Sequence, residues 1–330
     1  MVKHTKKLLV QTSKILFSAG IIYWLVQSGK LNFAALKNLL TPAAASVALL
    51  LVVLNLFLAS ERWRALIKSQ GLKVSPLKVF RLSLIGSFFN FAMPGGVGGD
   101  VIKAFYFTRE NPGSKVVAVT SVLMDRVLGL FAMLLLALLV MVYDLNHILT
   151  VPALTTLFWF ILSLFFAFIV ALALIFSQKV YDRSILKKII HMLPLSEKFM
   201  KLYESMHLYG KDGKRFVLVL CLSLLSQVCS ILFLILAGNA AGFTDIAAKT
   251  YFLVAPLGYM ATAIPISPAG VGVGQAAFYF LFNIYNGNTS EVGPTVITAF
   301  QVTTFVVSLA GAFFYLRIKE RVSTAALEKM

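Results

Sequence analysis

Apolar runs of roughly 20 residues recur along this chain, at 8–27, 43–60, 116–142, 151–177, 216–240 and 294–316, and they restrict its fold severely. Inside hydrocarbon every backbone N–H and C=O must find a partner, so a run of this length has to be a helix. The alternating ten-residue segments of a membrane barrel are missing. The chain is therefore expected to be an all-α polytopic membrane protein with about six transmembrane helices. Its composition agrees, since 59% hydrophobic residues in 330 exceed what a soluble core requires. Lys3, Lys6 and Lys7 before the first run imitate a signal peptide, but no A-x-A-like cleavage site follows. That run is expected to be retained as a helix.

Two further apolar regions, 77–107 and 251–287, are broken by Pro and Gly. Counting Lys and Arg in the connecting segments shows how they must lie. With the N-terminus inside, the cytoplasmic face collects Lys3, Lys6, Lys7, Arg62, Arg64, Lys68, Lys73, Lys78, Arg81, Lys103, Arg109 and Lys115. It also takes the run from Lys179 to Arg215 and the tail from Arg317 to Lys329. The opposite face holds Lys30, Lys37 and Lys249. This balance requires each broken region to enter and leave on one side, as a re-entrant hairpin, the first from the cytoplasm and the second from outside. Both termini are then cytoplasmic, in a multi-pass protein of the inner, or cytoplasmic, membrane. The formal charge of +17 follows from this orientation and from attraction to anionic lipid, not from nucleic acid.

"PGGVGGD" at 94–100 returns as "PAGVGVG" at 268–274, matching at P-x-G-V-G. Opposed hairpins carrying one motif have the form of an inverted repeat, by which transporters build a midplane site. A single transmembrane domain over 1–330 is expected, with one hairpin half at about 1–142, the other at about 151–330 and a cytoplasmic basic loop at 178–215. Backbone broken at membrane depth persists only beside protein or a polar cavity. The helix restarting after each break offers N–H groups and a dipole that favour an anion such as a phosphate head group. The same glycines also suit a hairpin that only turns and packs tightly. A Rossmann origin fails, because no strand precedes them.

Asp125 and Arg126 lie about ten residues, or ~15 Å, into a span. Each costs roughly 2.5 to 3.5 kcal/mol at the bilayer centre unless partnered. Adjacent helix positions do not face each other, so their partners lie elsewhere, with Glu61, Arg62, Arg64, Asp100 and Lys103 as complements. The alternative is a pair at head-group level. Trp63 reads as an interfacial anchor. Cys221 and Cys229 share one span, without the spacing of a metal site or disulfide framework, so no metal or cofactor is indicated.

"RWRAL", "PGGVGGDVIKAF", "SVLMDRVLGL" and "PISPAGVGVGQAAF", in this order, resemble the lysylphosphatidylglycerol synthase transmembrane family, the flippase-like domain. Two-domain members join this region, which moves an aminoacylated phospholipid, to a soluble domain that makes it. The segment 178–215 is too short for such a domain, so the resemblance implies translocation without synthesis. It marks Arg62, Pro94, Gly96, Gly98, Gly99, Asp100, Asp125, Arg126, Pro268, Gly270 and Gly272. Ala269 stands where a second glycine is common, and Gln275 where an acidic residue is common.

The substrate-binding set is then Arg62, Arg64, Gly96, Gly98, Gly99, Asp100, Lys103, Asp125, Arg126, Gly270, Gly272 and Gln275. The expected function is that of a flippase for a phospholipid or other phosphate-bearing lipid, with membrane lipids of anionic or zwitterionic head group as partners. The alternatives are a secondary transporter of a small soluble anion and an accessory subunit of a lipid-modifying enzyme. An enzyme is not expected, since no nucleophile with a base and no paired catalytic carboxylates are evident.

Overall fold

The computed structural model describes residues 34–92, 98–182, 196–287 and 291–327, together with Gly20, Tyr23 and Gln27. The expected span at 8–27 therefore lies almost entirely outside the described residues, as do Pro94, Gly96 and Val97. The described elements are helical. The principal helices are α1 (Pro42–Ser69), α2 (Pro76–Ala92), α3 (Gly98–Glu110), α4 (Lys115–Tyr143), α5 (Pro152–Phe176), α6 (Ser196–Tyr209), α7 (Gly213–Ala240), α8 (Ala248–Thr262), α9 (Val273–Asn286) and α10 (Val292–Leu327).

Among the described residues α1, α4, α5, α7 and the Val292–Arg317 stretch of α10 are long and apolar enough to cross a membrane. Each coincides with an apolar run in the sequence. Their outward faces carry large apolar side chains such as Leu50, Phe160, Leu225 and Phe313, as lipid-facing helices do. The chain is an all-α polytopic membrane protein.

The broken regions form two helix pairs. With 17, 13, 15 and 14 residues, α2, α3, α8 and α9 reach about 20 to 25 Å, short of the ~30 Å of hydrocarbon. In the first pair Gly86 and Gly99 bring the backbones together, since a Cβ on Gly99 would overlap the Gly86 carbonyl. The second pair packs through Gly258, whose missing side chain admits Phe278, and through Gly274 against Thr262. Its ends meet where Thr250 donates to Asn286 at 3.5 Å. These close approaches require glycine whatever the loop binds.

Two compact units make up the chain, one of Met1–Leu56, Phe80–Lys103 and Gln227–Met330, the other of Phe57–Val79 and Ala104–Ser226. In the second unit α4, α5 and α6 pack on one another around Leu66, Met124, Leu128, Leu172 and Val219. Trp63 belongs to this core. It is fully buried, donates from Nε1 to Ser121 Oγ at 3.0 Å and meets the Phe107 ring edge-on. The interfacial anchor expected from sequence is corrected here: the Ser121 hydroxyl satisfies the indole N–H, so the ring needs no head-group region. In the first unit α9 packs against both α8 and α10.

Candidate functional site

In the first unit, α10 is the post on which both broken regions are mounted. Ala269 in the second break accepts a hydrogen bond from Gln301 Nε2 at 3.3 Å. Farther from that break, the missing side chain of Gly293 brings α10 against the Phe278 backbone. The second region thus runs from its break toward the N-terminal end of α10. The first region runs the other way. Phe91, at the end of α2, packs on Phe305, while Leu84 lies against Gly311. Gln301 and Phe305 are one turn apart, about 6 Å of rise, near the middle of Val292–Arg317.

The second break is held by side-chain amides. Gln275 is 1% exposed, accepts from the Gly272 N–H through Oε1 at 2.7 Å and donates from Nε2 to Thr298 Oγ1 and Gln301 Oε1. Because Gly272 supplies an N–H, the oxygen of Gln275 must face it, and that fixes the orientation of both amides. The broken backbone is thus satisfied by protein, one of the two ways such a break survives in hydrocarbon. Gly270 and Gly272 have φ of +72° and +85°, and Ala269 has φ of +48°, a left-handed conformation that disfavours a Cβ. A glycine at position 269 would adopt this conformation without that strain. The buried Ser267 hydroxyl has no hydrogen-bond partner among the described residues.

At the restart of α3, the Gly99 N–H donates to Asn90 Oδ1 at 3.0 Å. Asp100 stands in the first turn of α3, where its charge suits the dipole. Lys103 Nζ is 4.0 Å from Asp100 Oδ1, with the two side chains 10% and 15% exposed. Gly98, Gly99, Asp100, Lys103, Gly270, Gly272 and Gln275 thus all fall in the first unit. Asn90, Thr298 and Gln301 escaped the sequence analysis. All three are polar residues inside otherwise apolar helices, a signal that was present in the sequence.

Arg62, Arg64, Asp125 and Arg126 belong to the second unit. Arg62 donates from Nε to Asp125 Oδ1 at 2.7 Å and reaches Ser223 Oγ from Nη1 at 3.4 Å, which joins α1, α4 and α7. Gly129, one turn beyond Asp125, leaves room for the guanidinium, since a Cβ there would lie 3.2 Å from Nη1. Arg126 is exposed. Arg64 pairs with Glu61 on its own helix. Near the start of α4, Thr120 forms a polar cluster with Gln70 and Ser205, and burial raises the hydroxyl of Tyr209, which lies outside the spans, well above its ordinary range.

These features define a class: a multi-pass helical membrane protein with two glycine-broken helix pairs set on one spanning helix. The model of the lysylphosphatidylglycerol synthase transmembrane region matches residues 11–311, and the chain belongs to that family. A UPF0104 membrane protein of Methanocaldococcus jannaschii is 22% identical over 340 residues, covering 97% of both chains. No solved structure matches the chain.

Proposed function

We propose that this protein moves a phosphate-bearing lipid across the membrane, using the region where its two helix breaks reach α10. The observation that carries this reading is the convergence of the breaks, at Gln301 and Phe305, from opposite ends of one spanning helix. Two re-entrant hairpins entering from opposite faces of the inner membrane would have that form, and both termini would be cytoplasmic. All four arms are too short to cross hydrocarbon alone.

The residues take different parts. Gly99 lets the arms of the first pair close, Gly270 and Gly272 let the backbone turn in the second, and Gly96 and Gly98 bring the same residue type to the first motif. Lys103 offers a cation to a phosphate, with Asp100 balancing it between loads. Gln275 holds the second break in shape. In the second unit Arg62 and Asp125 satisfy each other as a buried structural pair, and Arg126, exposed at the next position of α4, offers a cation to a head group. Family membership supports membrane transport, and the absence of a paired nucleophile and base in the sequence favours transport over chemistry.

Purified protein reconstituted with a fluorescent phospholipid tests the proposal. Dithionite quenching should pass the half-labelled plateau only in vesicles that contain protein. Lys103→Gln should slow this exchange at least tenfold while the protein stays folded. A plateau at half, together with uptake of a soluble anion, would replace lipid with the small-anion alternative.

A further inference from the structure

A second lipid-shaped feature lies wholly in the second unit, away from the glycine breaks. The face of α1 formed by Phe57, Leu58, Glu61, Arg64, Ala65 and Lys68, with Arg215, Leu218 and Leu222 of α7, lines a groove of about 260 Å³. Lys68 and Arg215 continue into an open cleft of about 640 Å³ whose wall includes Lys73 and the Gly71–Ser75 turn. The spacing on each helix keeps these side chains on one face. Polarity runs the same way along both walls, from Phe57 and Leu58 to Lys68 on α1, and from Leu222 and Leu218 to Arg215 on α7. From Phe57 to Lys68 the rise is about 16 Å, close to half the ~30 Å hydrocarbon thickness.

The charges leave a definite surplus. Glu61 pairs with Arg64, and Asp212 meets Arg215 Nε at 3.1 Å. Among the described residues no carboxylate is in ion-pair reach of Lys68 or Lys73, so two cations remain uncompensated. Arg215 also donates from Nη1 to the Lys68 carbonyl at 2.9 Å, which covers the negative end of α1 that would otherwise repel an anion.

We propose that this groove binds one anionic phospholipid, its phosphate at Lys68, Lys73 and Arg215 and one acyl chain between Phe57, Leu58, Leu218 and Leu222. The site does not depend on the transport reading, because no residue of either glycine-broken turn takes part. A soluble phosphate would use the basic end alone and leave the apolar walls exposed; the occupant is therefore a lipid.

The full chain in mild detergent, titrated with phosphatidylglycerol and counted by native mass spectrometry, tests this. One phosphatidylglycerol should be retained in preference to phosphatidylcholine. Lys68→Gln with Lys73→Gln should weaken it roughly thirtyfold, taking about fivefold per interfacial lysine. Both side chains are exposed, so the melting temperature should not move, and the Lys→Arg pair should retain the lipid. Leu218→Ser should weaken phosphatidylglycerol without affecting its chainless head group, glycerophosphoglycerol. Equal affinity for phosphatidylcholine, equal affinity for the chainless head group, or undiminished retention in the Lys→Gln pair would each overturn the proposal.

Discussion

Asp125 accepts a hydrogen bond from Arg62 Nε at 2.7 Å, a partner 63 positions away, while its chain neighbour Arg126 is exposed. The arrangement follows from helix geometry. Successive residues diverge by about 100°, so of two adjacent charges only one can face a given neighbouring helix. Arg62→Gln leaves a buried carboxylate without its cation and should destabilise the detergent-solubilised protein by roughly 3 kcal/mol, with the double variant Arg62→Gln/Asp125→Asn recovering part of the loss. Chemical unfolding in detergent measures this. A single variant as stable as the parent would mean that the pair is not buried.

Gly99 meets the Gly86 carbonyl so closely that Gly99→Ala must part the arms of the first helix pair. A loss of about 1 to 3 kcal/mol is expected from such overpacking. Gly213→Ala, where a Cβ meets open space, is the control and should be silent. Thermal melts of the two variants side by side decide it.

Ala269 adopts φ of +48°, which a Cβ disfavours by roughly 1 kcal/mol or more. Ala269→Gly should therefore stabilise the protein or be neutral, against the usual direction of a substitution to glycine. A clear loss of stability would show that this residue is not left-handed.

Gln275→Leu strips the Gly272 N–H and Gln301 Oε1 of their shared partner in a buried setting. The expected loss is about 2 to 3 kcal/mol. Combined with Gln301→Leu the loss should be less than additive, because the second substitution removes one of the orphaned groups. Strict additivity in a double-mutant cycle would dissolve the network.

The proposed re-entrant geometry has a labelling signature. On a background with Cys221 and Cys229 replaced by serine, cysteines at Leu77 and Arg109 should react with an impermeant maleimide from one face. Cysteines at Lys249 and Gly287 should react from the other. If Leu77 and Arg109 label from different faces, the first region crosses the membrane and the inverted repeat is lost.

Asp100 carries a last prediction, on coupling. Asp100→Asn keeps the size of the side chain in the first turn of α3 but removes the charge beside Lys103. With that charge gone the variant should stay folded while its lipid exchange no longer responds to an imposed pH difference. An unaltered pH response would limit Asp100 to a structural role.

The five spans within the described residues were legible in the sequence because hydrocarbon leaves a backbone only one open-chain solution, and twenty apolar residues at ~1.5 Å each fill its thickness. The two breaks were legible for a related reason, since Pro and Gly interrupt an otherwise continuous apolar pattern. Partner choice was not. That Asp125 takes Arg62, that Trp63 hides its N–H against Ser121, and that Gln301 reaches Ala269 depend on which helix faces meet. Helical periodicity shows which residues share a face but not what stands opposite that face. The convergence of both breaks on one turn of α10 belongs to the same kind: residues 91 and 269 are distant from each other and from the 301–305 turn, and only tertiary packing sets them at one level.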